Sequence, residues 1–221
     1  RRCMSGLNYL LSAQFLSAFV DNMILFIAQA VILRDAFPNW YLDAVQATFL
    51  FSYIILSPWA GRLADRFPKR RMLFFGNIVK CLGVTMFVAK YDPALSYAVV
   101  GIGAVLYSPA KYGILPWMTK TDKELLQANS YMEGFTILAI LTGSAAGGWL
   151  ADYSIFLALT ASAGVYFISS LLCAGIPSNP GDDSVVMRDA VASFCRDCAI
   201  VLQRPEGIFS LLGTSGFWLA S

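Results

Sequence analysis

Six stretches of the chain, roughly 8–33, 44–61, 72–90, 95–118, 128–151 and 155–176, are long and apolar enough to cross a lipid bilayer. A spanning helix needs about 20 mostly apolar residues. Hydrocarbon offers the backbone no water, so each stretch can satisfy its own N–H and C=O groups only as a helix. This constraint predicts an all-α, polytopic membrane protein with six spans joined by short connections. A seventh apolar stretch begins near residue 207 and is still running at Ser221, so the chain is expected to be the N-terminal half of something larger. The first stretch is too long, and too polar at its centre, for a cleaved signal peptide. Composition agrees: 57% of the 221 residues are hydrophobic and 14% are charged, where soluble domains carry about 25% charged residues.

The connections carry the orientation. The densest basic cluster, "GRLADRFPKRRM" at 61–72, lies between the second and third stretches. If the N-terminus is cytoplasmic, the inner side collects Arg1, Arg2, Arg62, Arg66, Lys69, Arg70, Arg71, Lys120, Lys123, Arg188, Arg196 and Arg204. The outer connections hold only Arg34 and Lys90, and twelve cations against two is a strong positive-inside signal. Residues 177–206 form the one substantial polar segment. After "SNPGDD", the residues Met187, Val191, Phe194, Cys198 and Val201 recur at spacings of four and three, which predicts an amphipathic linker helix. The expected organisation is a six-helix bundle over 1–176, a cytoplasmic linker over 177–206, and the start of a seventh span over 207–221.

The chain contains no His, which removes most zinc sites and any His-based acid, base or triad chemistry. "CRDC" at 195–198 matches a CxxC spacing, but with no second CxxC it reads as one face of the linker helix. The five Cys show no spacing of a disulfide framework.

"GRLAD" closes the second span at 61–65, and "GWLAD" closes the fifth at 148–152 on the opposite side. A motif that returns three helices later with the membrane inverted is the mark of inverted transporter repeats. Gly61, Leu63, Ala64, Asp65 and Arg66, followed by Lys69, Arg70 and Arg71, resemble the signature loop between helices two and three of the major facilitator superfamily, with Pro68 where that family usually has Gly. The resemblance implies a 3+3 inverted-repeat bundle. It also implies that Asp65 and its cations form a gating latch between cytoplasmic helix ends. A carboxylate there can pair with neighbouring cations and with the positive end of a helix dipole; a purely topogenic cluster is the simpler alternative.

Longer strings narrow the resemblance. "AQFLSAFVDN" (13–22), "YSPAKYGIL" (107–115), "QANSYME" (127–133) and "TGSAAGGWLAD" (142–152) are similar to the bacterial lysophospholipid transporters of that superfamily. Membership there implies movement of a lysophospholipid, such as lysophosphatidylethanolamine, from the outer to the cytoplasmic leaflet of a bacterial inner membrane. It also implies a C-terminal half that completes the cavity, and an acyltransferase/acyl-carrier-protein synthetase acting downstream, in another domain or protein. No cofactor and no nucleic-acid partner is implied. The rivals are a drug or metabolite exporter on the same fold and a half protein with a scaffold role. A membrane acyltransferase would need a His-and-Asp motif that these residues lack.

The intramembrane polar residues are the candidate site. A charge at the bilayer centre costs about 2.5–3.5 kcal/mol on insertion scales, so Asp21 is expected to face a cavity or a partner. Gln14 and Ser17 share its helical face, and Asn22 stands beside it. Lys111 lies in span four between Pro109 and Pro116, with Ser108 and Tyr112 alongside. In the resembled fold spans one and four line one cavity, so Asp21 and Lys111 would offer a carboxylate to a headgroup ammonium and a cation to its phosphate. The alternatives are a buried ion pair for Asp21 and a pair between Lys111 and Glu133. Lys80, in span three, is expected to have a structural partner or to snorkel. Gly134, Gly143 and Gly147 partly match a drug-antiporter pattern, with close helix packing as the favoured reading.

Overall fold

The computed structural model of the chain describes residues 2–220, with side chains from residue 6 to residue 216. Arg1 and Ser221, and the side chains of Arg2 and Cys3, therefore lie outside the described residues. The elements are α1 (Arg2–Arg34), α2 (Asn39–Arg66), α3 (Lys69–Val88), α4 (Pro93–Gly113), α5 (Leu115–Met118), α6 (Asp122–Tyr153), α7 (Ile155–Ala174), α8 (Ala190–Leu202) and α9 (Pro205–Ala220). Among the described residues, six helical segments are long and apolar enough to cross a membrane: Gly6–Arg34, Asn39–Arg66, Lys69–Val88, Pro93–Met118, Asp122–Tyr153 and Ile155–Ala174. They coincide with the six apolar stretches; α2 overruns its stretch by more than a turn at both ends and α6 at its start, while α3 and α7 end two residues short. α2, for example, begins at Asn39 and carries Trp40 and Tyr41, residue types that favour the membrane interface.

The fourth stretch differs from its expected form. It is broken at Ile114, where α4 gives way to the single turn α5. Pro116 has no N–H to bond the carbonyl of Tyr112, so the ladder is interrupted and restarts with Pro116 in its first turn. The linker helix also differs. Its first intrahelical bond runs from the Ser193 amide to the Asp189 carbonyl (2.8 Å), so Met187 and Arg188 lie in the preceding turn and the helix begins at Ala190. Within α8, Val191, Phe194 and Val201 are exposed.

Helix packing repeats with internal symmetry. α1 packs on α6 and α7, α4 packs on α2 and α3, and α3 packs on α7. Exchanging α1 with α4, α2 with α6, and α3 with α7 leaves this set unchanged. That is what an inverted three-helix repeat requires, and it agrees with the offset of "GRLAD" and "GWLAD". Residues up to Val185 form one compact unit and those from Val186 onward a second. The first unit takes in the turn after α7 as well as the six spans, and that turn is hydrogen-bonded to the end of α2: the Asp182 amide donates to the Asp65 carbonyl (3.1 Å).

The bundle has two apolar cores. One gathers Ile24, Ile27, Val84, Val100 and Leu159; the other gathers Leu10, Leu73, Ile114, Met132 and Cys173. On α1, α3 and α7 the residues between the cores are polar: Gln14 and Ser17, Asn77 and Lys80, Ser169 and Ser170. A layer of hydrogen-bonding groups therefore crosses the bundle at mid-height.

Candidate functional site

This polar layer is built around Asp21. Lys80 Nζ donates to Asp21 Oδ2 at 2.8 Å and to Ser17 Oγ at 2.9 Å. The Tyr166 hydroxyl donates to Asp21 Oδ1 at 2.6 Å. Ser17 Oγ donates to Asn77 Oδ1 (2.8 Å), Asn77 Nδ2 donates to Ser169 Oγ (2.8 Å), and Ser169 Oγ donates to the Ala13 carbonyl (2.7 Å). Each buried polar group thus has a partner, as low dielectric demands. The exception among the described residues is the hydroxyl of Tyr107, whose ring lies 4.8 Å from Lys80 Nζ.

The ion pair is asymmetric. The Lys80 side chain is 2% exposed and that of Asp21 is 29% exposed. The carboxylate therefore holds a buried cation on one side and stays open on the other. Lys80, expected to have a structural partner, finds it in Asp21. Gln14 and Ser17 share the face of Asp21 but are buried in helix contacts, with Gln14 Nε2 donating to Thr136 Oγ1 of α6 (3.0 Å). Asn22 donates back to the Ala18 carbonyl (2.8 Å).

Lys111 stands apart from this network. None of the ion pairs among the described residues includes it; its Nζ lies 4.7 Å from the Tyr112 ring centroid. Glu133 instead accepts from the Tyr112 hydroxyl at 2.7 Å. Ser108 is partly buried one turn before Tyr112. The arrangement leaves Lys111 on α4 outside the ion pairs among the described residues, and Asp21 on α1 partly open.

At the basic end, Lys69 Nζ donates to the Ala64 carbonyl (3.2 Å) and lies 4.0 Å from Asp65 Oδ1. Gly61 has open space around it, and Arg62 and Arg66 close α2. Arg70 and Arg71 border a shallow groove with Phe74 and Phe75. The turn after α7 clasps this loop. The Lys69 amide, an orphan donor at the start of α3, is capped by Asn179 Oδ1 at 2.8 Å, from 110 residues away. The Ser184 hydroxyl and amide both donate to Asp182 Oδ1 (2.5 and 2.9 Å), which holds that carboxylate below its usual range. Asn179→Ala is expected to cost about 1 kcal/mol, the usual worth of a cap. Thermal unfolding and faster exchange of the Lys69 amide would check it.

Sequence reasoning missed Asn77, Tyr166 and Ser169. A signal was present: Ser162, Tyr166, Ser169 and Cys173 recur at spacings of four, three and four, a polar stripe on an otherwise apolar helix.

Comparison with known proteins adds to this geometry. The family model of the Major Facilitator Superfamily matches residues 10–220. The chain is 42% identical over 216 residues to the lysophospholipid transporter LplT of Photorhabdus laumondii, covering 96% of this chain and 54% of that protein. It is 41% identical to the protein of the same name from Citrobacter koseri, with the same coverage. The chain thus spans about half the length of the curated relatives it matches. Its fold is similar to that of the peptide transporter POT in complex with sulfate, with a TM-score of 0.66 and 19% identity over 97% of this chain and 50% of that one.

Proposed function

We propose a transport function for this chain, which belongs to the major facilitator superfamily. It supplies the first six-helix bundle of an alternating-access transporter that moves lysophospholipid, such as lysophosphatidylethanolamine, from the outer to the cytoplasmic leaflet of a bacterial inner membrane. The observation that carries this reading is the 42% identity, along 96% of the chain, to proteins named lysophospholipid transporters. The distribution of cations supports a cytoplasmic N-terminus.

Lys111 is the phosphate partner in this reading: a point-charge donor, in none of the ion pairs among the described residues, on a helix softened by Pro109. Asp21 receives the headgroup ammonium on its open side, while Lys80 and Tyr166 keep it oriented from behind. A single acyl chain anchors a lipid only marginally, so a lysophospholipid is more easily extracted than a two-chain lipid. The second bundle closes the cavity, the loop from Gly61 to Arg71 acts as the cytoplasmic latch, and re-acylation follows inside by a separate acyltransferase/acyl-carrier-protein synthetase activity.

The test supplies labelled lysophosphatidylethanolamine to the outer leaflet of cells carrying the full-length protein and measures its arrival inside. Uptake is expected for the native protein. Lys111→Ala should lower it by about 10- to 100-fold, the range for a lost charge-assisted contact of about 1.5–3 kcal/mol. Asp21→Asn should lower it too, with insertion and folding followed in parallel. No uptake by the native protein would sink the lipid reading and put a drug or metabolite exporter in its place.

A further inference from the structure

Three consecutive cations open α3, and they are placed differently. The Lys69 side chain is only 14% exposed, turned onto the Ala64 carbonyl, with its methylenes against Gly113. Arg70 and Arg71 enter none of the ion pairs among the described residues, which join Arg34 to Asp35, Lys69 to Asp65, and Lys80 to Asp21. Both arginines line a groove of about 270 Å³, together with Phe74, Phe75 and, from α7, Ala174.

The groove is layered to match a lipid. Phe74 and Phe75 follow Arg70 and Arg71 by four residues, about one helical turn along the same faces. The cations stand at the very start of the span Lys69–Val88, and the rings lie one turn further along it, Phe74 partly buried against the second apolar core and Phe75 exposed. The two rings meet edge to face with centroids 5.5 Å apart, and Phe75 is 56% exposed. A guanidinium is weakly hydrated and presents a fork of donors matched to a phosphate. A cluster serving topology alone needs charge on this side of the membrane, but neither adjacent aromatic rings nor a groove.

We propose that this groove binds an anionic two-chain phospholipid of the leaflet at the basic end of the bundle, its phosphate between Arg70 and Arg71 and an acyl chain along Phe74 and Phe75. The site is separate from Asp21 and Lys111, which belong to α1 and α4. A lipid seated there fastens the start of α3, and with it the short loop that joins it to the end of α2, where Asp65 stands.

The test is direct binding, independent of transport. Purified full-length protein in detergent is titrated with phosphatidylglycerol or phosphatidylcholine of equal chain length, and retained lipid is counted by native mass spectrometry. The native protein should retain phosphatidylglycerol in preference. Arg70→Gln with Arg71→Gln should weaken phosphatidylglycerol binding about 30-fold, roughly fivefold per cation near a membrane surface. Lys123→Gln, elsewhere on the basic side, should leave it unchanged. Phe75→Ala should weaken both lipids alike. If the glutamine pair does not insert, Arg70→Lys with Arg71→Lys keeps the charge, loses the fork, and should still bind phosphatidylglycerol more weakly than the native protein. Unchanged binding in the arginine variants overturns the proposal. So does an equal loss in Lys123→Gln, which would mean diffuse surface charge, or full displacement by inorganic phosphate, which would mean a free-anion site.

Discussion

Lys80→Met is expected to destabilise the bundle by about 3 kcal/mol, the lower end of the range of about 3–5 kcal/mol for removing one partner of a buried ion pair. The reason lies in the asymmetry of the pair. Lys80 is almost wholly buried, with its ammonium bonded to Asp21 and Ser17. Removing it leaves a carboxylate with one remaining donor, the Tyr166 hydroxyl, and an apolar side chain against the Ser17 hydroxyl. Partial exposure of Asp21 lets water relieve some of that charge, which places the cost at the lower end. Lys80→Met combined with Asp21→Asn should recover much of the loss, because no unpaired charge is then left inside. Thermal unfolding of the native protein, both single variants and the double forms a mutant cycle. A double variant as unstable as the sum of the singles would show that the pair is not the unit of stability proposed.

Gly143→Leu should prevent close packing of α1 on α6 and cost about 1–3 kcal/mol or more. A Cβ at Gly143 meets the carbonyl oxygen of Phe19, and one at Gly147 meets that of Met23. Both obstacles are backbone, so neither can rotate away and the helices themselves must separate. Gly134 and Gly148, on the same helix, have nothing within 4 Å of a built Cβ. Gly148→Leu is therefore the matched control and should be nearly neutral. Unfolding temperature and transport measured on the two variants check the prediction; equal effects would mean that leucine is disfavoured in α6 for another reason. The same geometry accounts for Gly143 and Gly147 as packing, the reading favoured from the sequence, but not for Gly134, which faces open space.

Much of the site is legible in the residues themselves. The cost of a charge in lipid marks Asp21 and Lys111, and the density of cations marks the basic loop. Less legible is which groups meet. Asp21 and Lys80 are 59 residues apart, Asp21 and Tyr166 are 145 apart, and Asn179 caps a helix that starts 110 residues before it. Periodicity assigns each residue to a face of its own helix. It says nothing of the neighbour that the face meets.

Chain chemistry alone determined the six spans, their helical form and the basic side of the bundle, because a continuous apolar stretch of about 20 residues in hydrocarbon pairs its backbone groups within itself as a helix, and each charge there is costly. It also determined the inverted repeat, written twice in "GRLAD" and "GWLAD". Tertiary structure decided that Lys80, not Lys111, neutralises Asp21, that Glu133 takes Tyr112, and that of three adjacent cations Lys69 turns back onto the end of α2 while Arg70 and Arg71 line a groove. These are choices among groups equally available in sequence. They are settled only when packing fixes which partners come within hydrogen-bonding distance and which stay in reach of water or lipid.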